Sequence, residues 1–316
     1  MRTVLAGDLG GTKCRFALVA ADFSVHAVQH VPTVRERATF LGALDQAIAT
    51  ILAALPAGCE RPTAAGFGTA GVIPRDGRSI EVAPNLPLDK FPLAEHVEAR
   101  FGLRTTLLND GRASAFGEFL RGHAAGSDPL LCLFFGTGIG IGLIADGGPF
   151  AGATNAAGEI GHTIFRPGGR RCPCGGLGHF EAYCGGRAIT EQAAEQLGAP
   201  PAGALTWTVG AVVAAAGAPG PQQAGARAIL ADAELAATTL VTNACTLLNP
   251  KAVVLGGGVL SGWPALGPAI EAHVRAHTSG PIHRELRFVP TLGGSDAILW
   301  GAAAATGVLW PRQAAH

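Results

Sequence analysis

Short apolar runs broken by glycine turns dominate the first part of the chain. Val4 to Asp8 reads as a strand, Leu9-Gly10-Gly11-Thr12 as a turn, and Phe16 to Val19 as a second strand. A third strand is expected at Val25 to Val31. Phe40, Leu41, Leu44, Ile48, Ile51, Leu52 and Leu55 then recur at helical spacing and predict a helix over Ala38 to Leu55. The strand, turn, strand pattern returns further on, where Leu130 to Phe135 runs into Gly136-Thr137-Gly138-Ile139-Gly140 and then Ile141 to Ile144. Such an echo suggests two related lobes, each offering a backbone loop to one ligand in a cleft.

Between the two copies, Thr105 to Leu108 reads as a strand ending at Asn109-Asp110, with a helix from about Gly111 to Arg121. Open α/β sheets place ligands at such carboxyl ends. Downstream, a helix is expected from about Gln222 to Leu248, with Leu240, Ala244, Leu247 and Leu248 on one face and Pro250 past its end. Val253 to Leu255 forms a short buried strand leading into Gly256-Gly257-Gly258. A last helix, roughly Asp296 to Leu309, follows Gly293-Gly294, with Ser295 or Asp296 as its cap.

At 316 residues, with 48% hydrophobic and 15% charged, the chain suits two globular domains with large buried sheets. Its 23 basic residues balance 23 acidic ones without a basic run, which argues against nucleic acid or an anionic membrane as partner. The N-terminus enters a strand without a signal-like or spanning segment, so a cytoplasmic enzyme acting on small molecules is expected. Four of the seven cysteines, Cys14, Cys59, Cys132 and Cys245, read as core or surface filler.

The chemistry concentrates in four places. In Asp8-Leu9-Gly10-Gly11-Thr12-Lys13, glycines let backbone amides approach a phosphate, and Asp8 would hold Mg²⁺ through water; a plain hairpin turn is the alternative. Gly136-Thr137-Gly138 and Gly256-Gly257-Gly258 add two more loops after strands, which together point to a nucleotide, although none matches a P-loop. Asp110 is placed to accept the proton of a sugar hydroxyl during phosphoryl transfer, or simply to cap the following helix. His162, Cys172, Cys174 and His179 read as a ligand set for a closed, structural Zn²⁺ site, with Cys184 in reserve; a glycine-rich loop with incidental thiols is the alternative. One His162 nitrogen would bind metal and the other a sugar hydroxyl, while Glu159 and Glu181 flank the pocket as acceptors.

In order and spacing these pieces resemble the ROK family of bacterial sugar kinases and repressors over nearly the whole chain. The resemblance implies an α/β, actin-like (ribonuclease H-like) fold of two domains flanking a cleft. A small domain of residues 1–110 would be completed by a C-terminal helix at about 296–316, and a large domain of residues 111–295 would carry the zinc loop and a dimer surface. It further implies ATP with Mg²⁺ and transfer of the γ-phosphoryl group to a hexose, commonly at the 6-hydroxyl. Asp110 matches the family's base; Asn109, Glu159, His162 and Glu181 match its sugar contacts, joined by Asn85 and Gly71. Homodimers are common in the family. Where the family has a third cysteine this chain has His179, which keeps a sound Cys₂His₂ set.

Glucose is the favoured hexose, because Glu159, His162 and Glu181 suit a full set of free hydroxyls. N-acetylmannosamine, N-acetylglucosamine or fructose is the alternative. A repressor would need a DNA-binding module ahead of Asp8, where there is no room, and a non-catalytic sugar sensor would have no use for Asp110 beside phosphate loops.

Overall fold

The expected opening strands form β1 (Thr3–Leu9), β2 (Lys13–Ala20) and β3 (Val25–Pro32), followed by helix α1 (Arg37–Ala53). The computed structural model describes residues 1–201 and 203–310. Phe40, Leu44, Ile48, Ile51 and Leu52 are the buried stripe of α1, and the Glu36 carboxylate accepts from Ala38 N (2.9 Å) and Thr39 N (2.6 Å) at its start. Strand β4 (Ala64–Thr69), helix α2 (Leu93–Phe101), β5 (Arg104–Asn109) and α3 (Asp110–Arg121) come next. The first sheet has the order β3-β2-β1-β4-β5, with β1 antiparallel to β2 and parallel to β4. β4 is all buried and carries little alternation, as expected of a strand covered on both faces.

The echo continues as β6 (Leu130–Phe135) and β7 (Ile139–Ala145), with β8 (Gly148–Pro149) paired to the end of β7. Helices α4 (Glu181–Cys184), α5 (Gly186–Leu197), α6 (Val209–Gly217) and α7 (Gln223–Leu248) follow. The chain ends through β9 (Ala252–Gly256), α8 (Gly258–Gly262), α9 (Leu266–His277), α10 (Gly280–His283), β10 (Arg287–Pro290) and α11 (Asp296–Ala305). The second sheet runs β10-β9-β6-β7-β8. In both sheets the first strand of the glycine hairpin lies between its partner and a later strand.

The chain divides into two units. The first takes residues up to Leu130, Gly142–Gly158 and the described residues from Thr291 on; its core packs α1 and α2 on one face of the first sheet and α11 on the other. There α3 and α11 cross so closely that a Cβ on Gly301 would lie 1.8 Å from the Ala113 carbonyl. The second takes Leu131–Ile141 and Glu159–Pro290, with a core built around α7, α5 and α9. Among the described residues no helix is long and apolar enough to cross a membrane.

Three local expectations are corrected. Leu247 is 80% exposed, because the buried stripe of α7 runs through Leu240, Val241, Ala244 and Cys245 instead. The last helix stops at Ala305, where Thr306 turns its hydroxyl back onto Ala303 O (2.7 Å) and Gly307 takes φ 69°; residues 311–316 of that expected helix lie outside the described residues. Ser295 does occupy the cap position, but its side chain makes no cap bond: its Oγ accepts from Arg15 (3.1 Å), and Asp296 pairs with the same guanidinium at 2.5 Å.

Candidate functional site

In the first unit, Asp8 and Asp110 stand at one edge of the sheet, one strand apart. β4 bridges them, with Leu9 opposite Thr69 and Thr69 opposite Asn109. Asp110 is the first residue of α3, and the capping role falls to Asn109, whose Oδ1 accepts from Arg112 N at 3.3 Å. Burial, and then the charge of Asp110, push the half-buried Asp8 from its ordinary value of 3.8 up to about 6; Arg15 and Lys13 oppose this. Burial likewise raises Asp110, against the pull of its hydrogen bond from Gly111 N (2.8 Å) and the nearby Arg112 charge. Two carboxylates so placed favour a cation between them or a proton on one.

The turn after Asp8 leaves Gly11, Thr12 and Lys13 exposed, free to face a ligand. Asn85 belongs to the same surface, since a Cβ on Gly11 would sit 2.6 Å from that of Asn85. Gly71, at φ 126° and backed by the Val82 carbonyl, accepts from Asn109 Nδ2 at 3.5 Å. Asp8, Gly10 to Lys13, Gly71, Asn85, Asn109 and Asp110 thus all lie in this unit.

The second unit gathers the remaining candidates. A loop from Glu159 to Phe180 folds so that one donor atom each from His162, Cys172, Cys174 and His179 falls within 4.8 Å of the others. His162 Nδ1 is 3.5 Å from Cys172 Sγ, and His179 Nδ1 is 3.2 Å from Cys174 Sγ. A tetrahedral zinc with these ligands sets its donors about 3.3–3.8 Å apart, so two thiols and two imidazoles here fit that metal. Burial pushes the Cys172 thiol up to about 12, and metal binding would be what deprotonates it. Cys184 stays out of the cluster, buried and bonded to Phe180 O.

The other His162 nitrogen, Nε2, faces the exposed Glu159 carboxylate at 3.7 Å. Glu181 opens α4 next to Cys172 of the cluster. Its Oε2 accepts from Ile139 N (2.8 Å) and would lie 2.3 Å from a Cβ on Gly138, while Oε1 is 3.9 Å from Cys172 Sγ. One carboxylate therefore joins the ligand cluster to the glycine turn between β6 and β7.

Residues 4–307 match the ROK family. The chain belongs to that family. A glucokinase of Streptomyces coelicolor is 34% identical over 201 residues, which span 64% of this chain and 62% of that protein. An N-acetylmannosamine kinase of Escherichia fergusonii is 33% identical over 268 residues, spanning 84% and 86%. The structure of a ROK family glucokinase from Streptomyces griseus in complex with glucose and AMPPNP matches with a TM-score of 0.77 at 27% identity, covering 96% of this chain and 98% of that one. The fold is the actin-like ATPase fold of the ROK sugar kinases, with two mixed sheets.

Within the second unit of this ROK protein, a cavity of about 580 Å³ opens beside the glycine turn. Its lining includes Gly136, Thr137, Gly258 and, unforeseen in the sequence, Arg187, Thr190 and Val209. Gly186 N and Arg187 N bond to Gly136 O (2.9 Å) and Thr137 O (3.0 Å), which welds the start of α5 to the turn. Gly257, at φ 100° with the Phe135 carbonyl 2.3 Å from where a Cβ would be, brings β9 and α8 to the same cavity. The only sequence signal for Arg187 was the Gly185-Gly186 pair before it, which alone reads as a turn.

Proposed function

We propose that this chain is an ATP-dependent hexose kinase with glucose as its preferred acceptor, phosphorylated at the 6-hydroxyl. The observation that carries the reading is the pair Asp8 and Asp110 at one carboxyl edge of the first sheet, both raised by burial. The Asp110 carboxylate takes the proton of the hydroxyl as its oxygen forms a bond to the γ-phosphorus. The bond from that phosphorus to the ADP oxygen breaks, and ADP leaves. Asp8 would hold the Mg²⁺ that neutralises phosphate charge, through water. The turn Gly10 to Lys13, the cavity lined by Gly136, Thr137 and Gly258, and the adjoining Gly138, Gly256 and Gly257 are assigned to the nucleotide.

Asn85, Asn109, Gly71, Glu159, His162 and Glu181 are assigned to the sugar. His162, Cys172, Cys174 and His179 would hold a structural Zn²⁺, which supplies rigidity to the loop that carries Glu159 and Glu181. The glucokinase relative and the glucose complex support glucose. N-acetylmannosamine is the second reading, because the kinase of that name matches a larger share of both chains.

ADP release from ATP and Mg²⁺, measured as kcat/KM over hexoses and N-acetylhexosamines, tests this. Activity concentrated on glucose is expected. A preference for an N-acetyl sugar would move the acceptor and keep the chemistry, and no turnover with any sugar would overturn the kinase reading.

A further inference from the structure

Arg112 stands two residues beyond Asp110 in the first turn of α3, and only 3% of it is exposed. A buried guanidinium needs its donors satisfied. Two of them grip a single residue: Nη1 donates to Asn155 Oδ1 and Nη2 to the Asn155 main-chain carbonyl. Asn155 is itself buried and sits at φ 62°, a left-handed conformation that asparagine tolerates better than most side chains. Its own amide donates onward to a third piece of chain, from Nδ2 to Ile73 O (2.8 Å) and Pro74 O (3.1 Å).

One buried pair therefore fastens the start of α3 to two loops, 71–77 and 150–158. Two lighter contacts run alongside, Asn109 Nδ2 to Gly71 O at 3.5 Å and Arg75 Nη1 to Ala153 O at 3.4 Å. The loop 71–77 pairs through Val72 with Val82, three residues before Asn85. The loop 150–158 runs directly into Glu159. Gly71, Asn85 and Glu159, three of the six residues assigned to the sugar, are thus reached from segments that the pair holds.

We propose that Arg112 and Asn155 are positioning residues that lock both acceptor-side loops to the helix turn bearing Asp110. This rests on the kinase reading of Asp110. Neither residue is assigned to a reacting atom; they set the distance over which the acceptor hydroxyl is offered to the carboxylate, where a displacement of about 1 Å costs about 10²-fold in rate. The fork geometry requires arginine, since a lysine ammonium cannot grip the amide and carbonyl oxygens of one residue in parallel.

The test compares Arg112→Lys and Asn155→Gly with the unmodified protein. Asn155→Gly keeps the left-handed backbone and the main-chain acceptor while removing the onward bridge, so it remains informative if the arginine variant does not fold. Two readouts are taken: steady-state kinetics with ATP and the best hexose, and amide hydrogen exchange of the ligand-free proteins. We expect the sugar KM to rise about tenfold or more and kcat to fall, with the KM for ATP within about twofold. We also expect loops 71–77 and 150–158 to gain exchange together while β1 and β2 do not. An unchanged sugar KM in a folded variant, or an equal rise in both KM values, would overturn the proposal. Should the unmodified protein phosphorylate no hexose, the kinase reading falls by itself, and exchange still decides the clamp: joint loosening upholds it, and loosening of one loop or neither removes it.

Discussion

In the proposed reaction two aspartates carry most of the chemistry, and their surroundings determine how each should respond to change. Asp110→Asn keeps the side-chain volume but removes the base, so kcat should fall by at least about 10² while sugar binding, read by calorimetry, persists. Near-normal turnover would remove Asp110 from that role. For Asp8 the sign runs opposite to that of a salt-bridged carboxylate. Its folded value of about 6 lies above the ordinary 3.8, so the folded state holds the proton more tightly than the unfolded chain does. Stability is therefore gained as pH falls from about 6 toward 4, and the full cost is present at neutral pH. A shift of this size is at most about 3 kcal/mol, reduced to roughly 1–2 kcal/mol because the side chain is only half-buried. Asp8→Asn should accordingly stabilise the ligand-free protein at pH 7 by that amount while abolishing turnover. A loss of stability in urea melts would contradict this account.

Among elements, the joints between strands and helices matter more than their interiors. The turn from β9 into α8 depends on Gly257, and Gly257→Ala should cost about 1–3 kcal/mol in strain alone and weaken ATP before sugar. The segment leading to α11 hangs on Glu118 of α3, which is fully buried. Its carboxylate accepts from Thr291 Oγ1, from Leu292 N at 3.2 Å and from Gly293 N at 2.9 Å. Glu118→Gln turns an acceptor oxygen into a donor facing other donors, and should destabilise by about 1–3 kcal/mol as followed by thermal melting. Periodicity foretold α1 and α7 because each has a long apolar stripe. It did not foretell α2, whose apolar face is brief, or β10, a four-residue strand at the sheet edge.

For the whole molecule, the two units carry separate hydrophobic cores, so a disturbance in one should register there first. Elemental analysis of protein prepared without chelator should find about one zinc per chain. Removing it with a chelator should raise hydrogen exchange across 159–185 while β1 to β5 stay protected. Absence of zinc in the untreated protein, or uniform loosening of both units, would tell against a local structural metal.

The sequence alone determined the pieces whose signal is local. A glycine turn after an apolar run, a Cys-x-Cys spaced from two histidines, and an Asn-Asp at a strand end are each written within a few residues. Their order sufficed for the family and its fold. Tertiary structure decided whatever depends on partners far apart in the chain. Asp8 and Asp110 become neighbours only because β4 lies between their strands, and the Ser295 hydroxyl, at the cap position of α11, meets Arg15 of β2 rather than the helix amides. Arg187 joins the cavity only because α5 is welded to the glycine turn, and Arg112 finds Asn155 forty-three residues away. Local spacing can specify a turn or a ligand set, but the burial that shifts a pKa or pins a loop is a property of the packed whole.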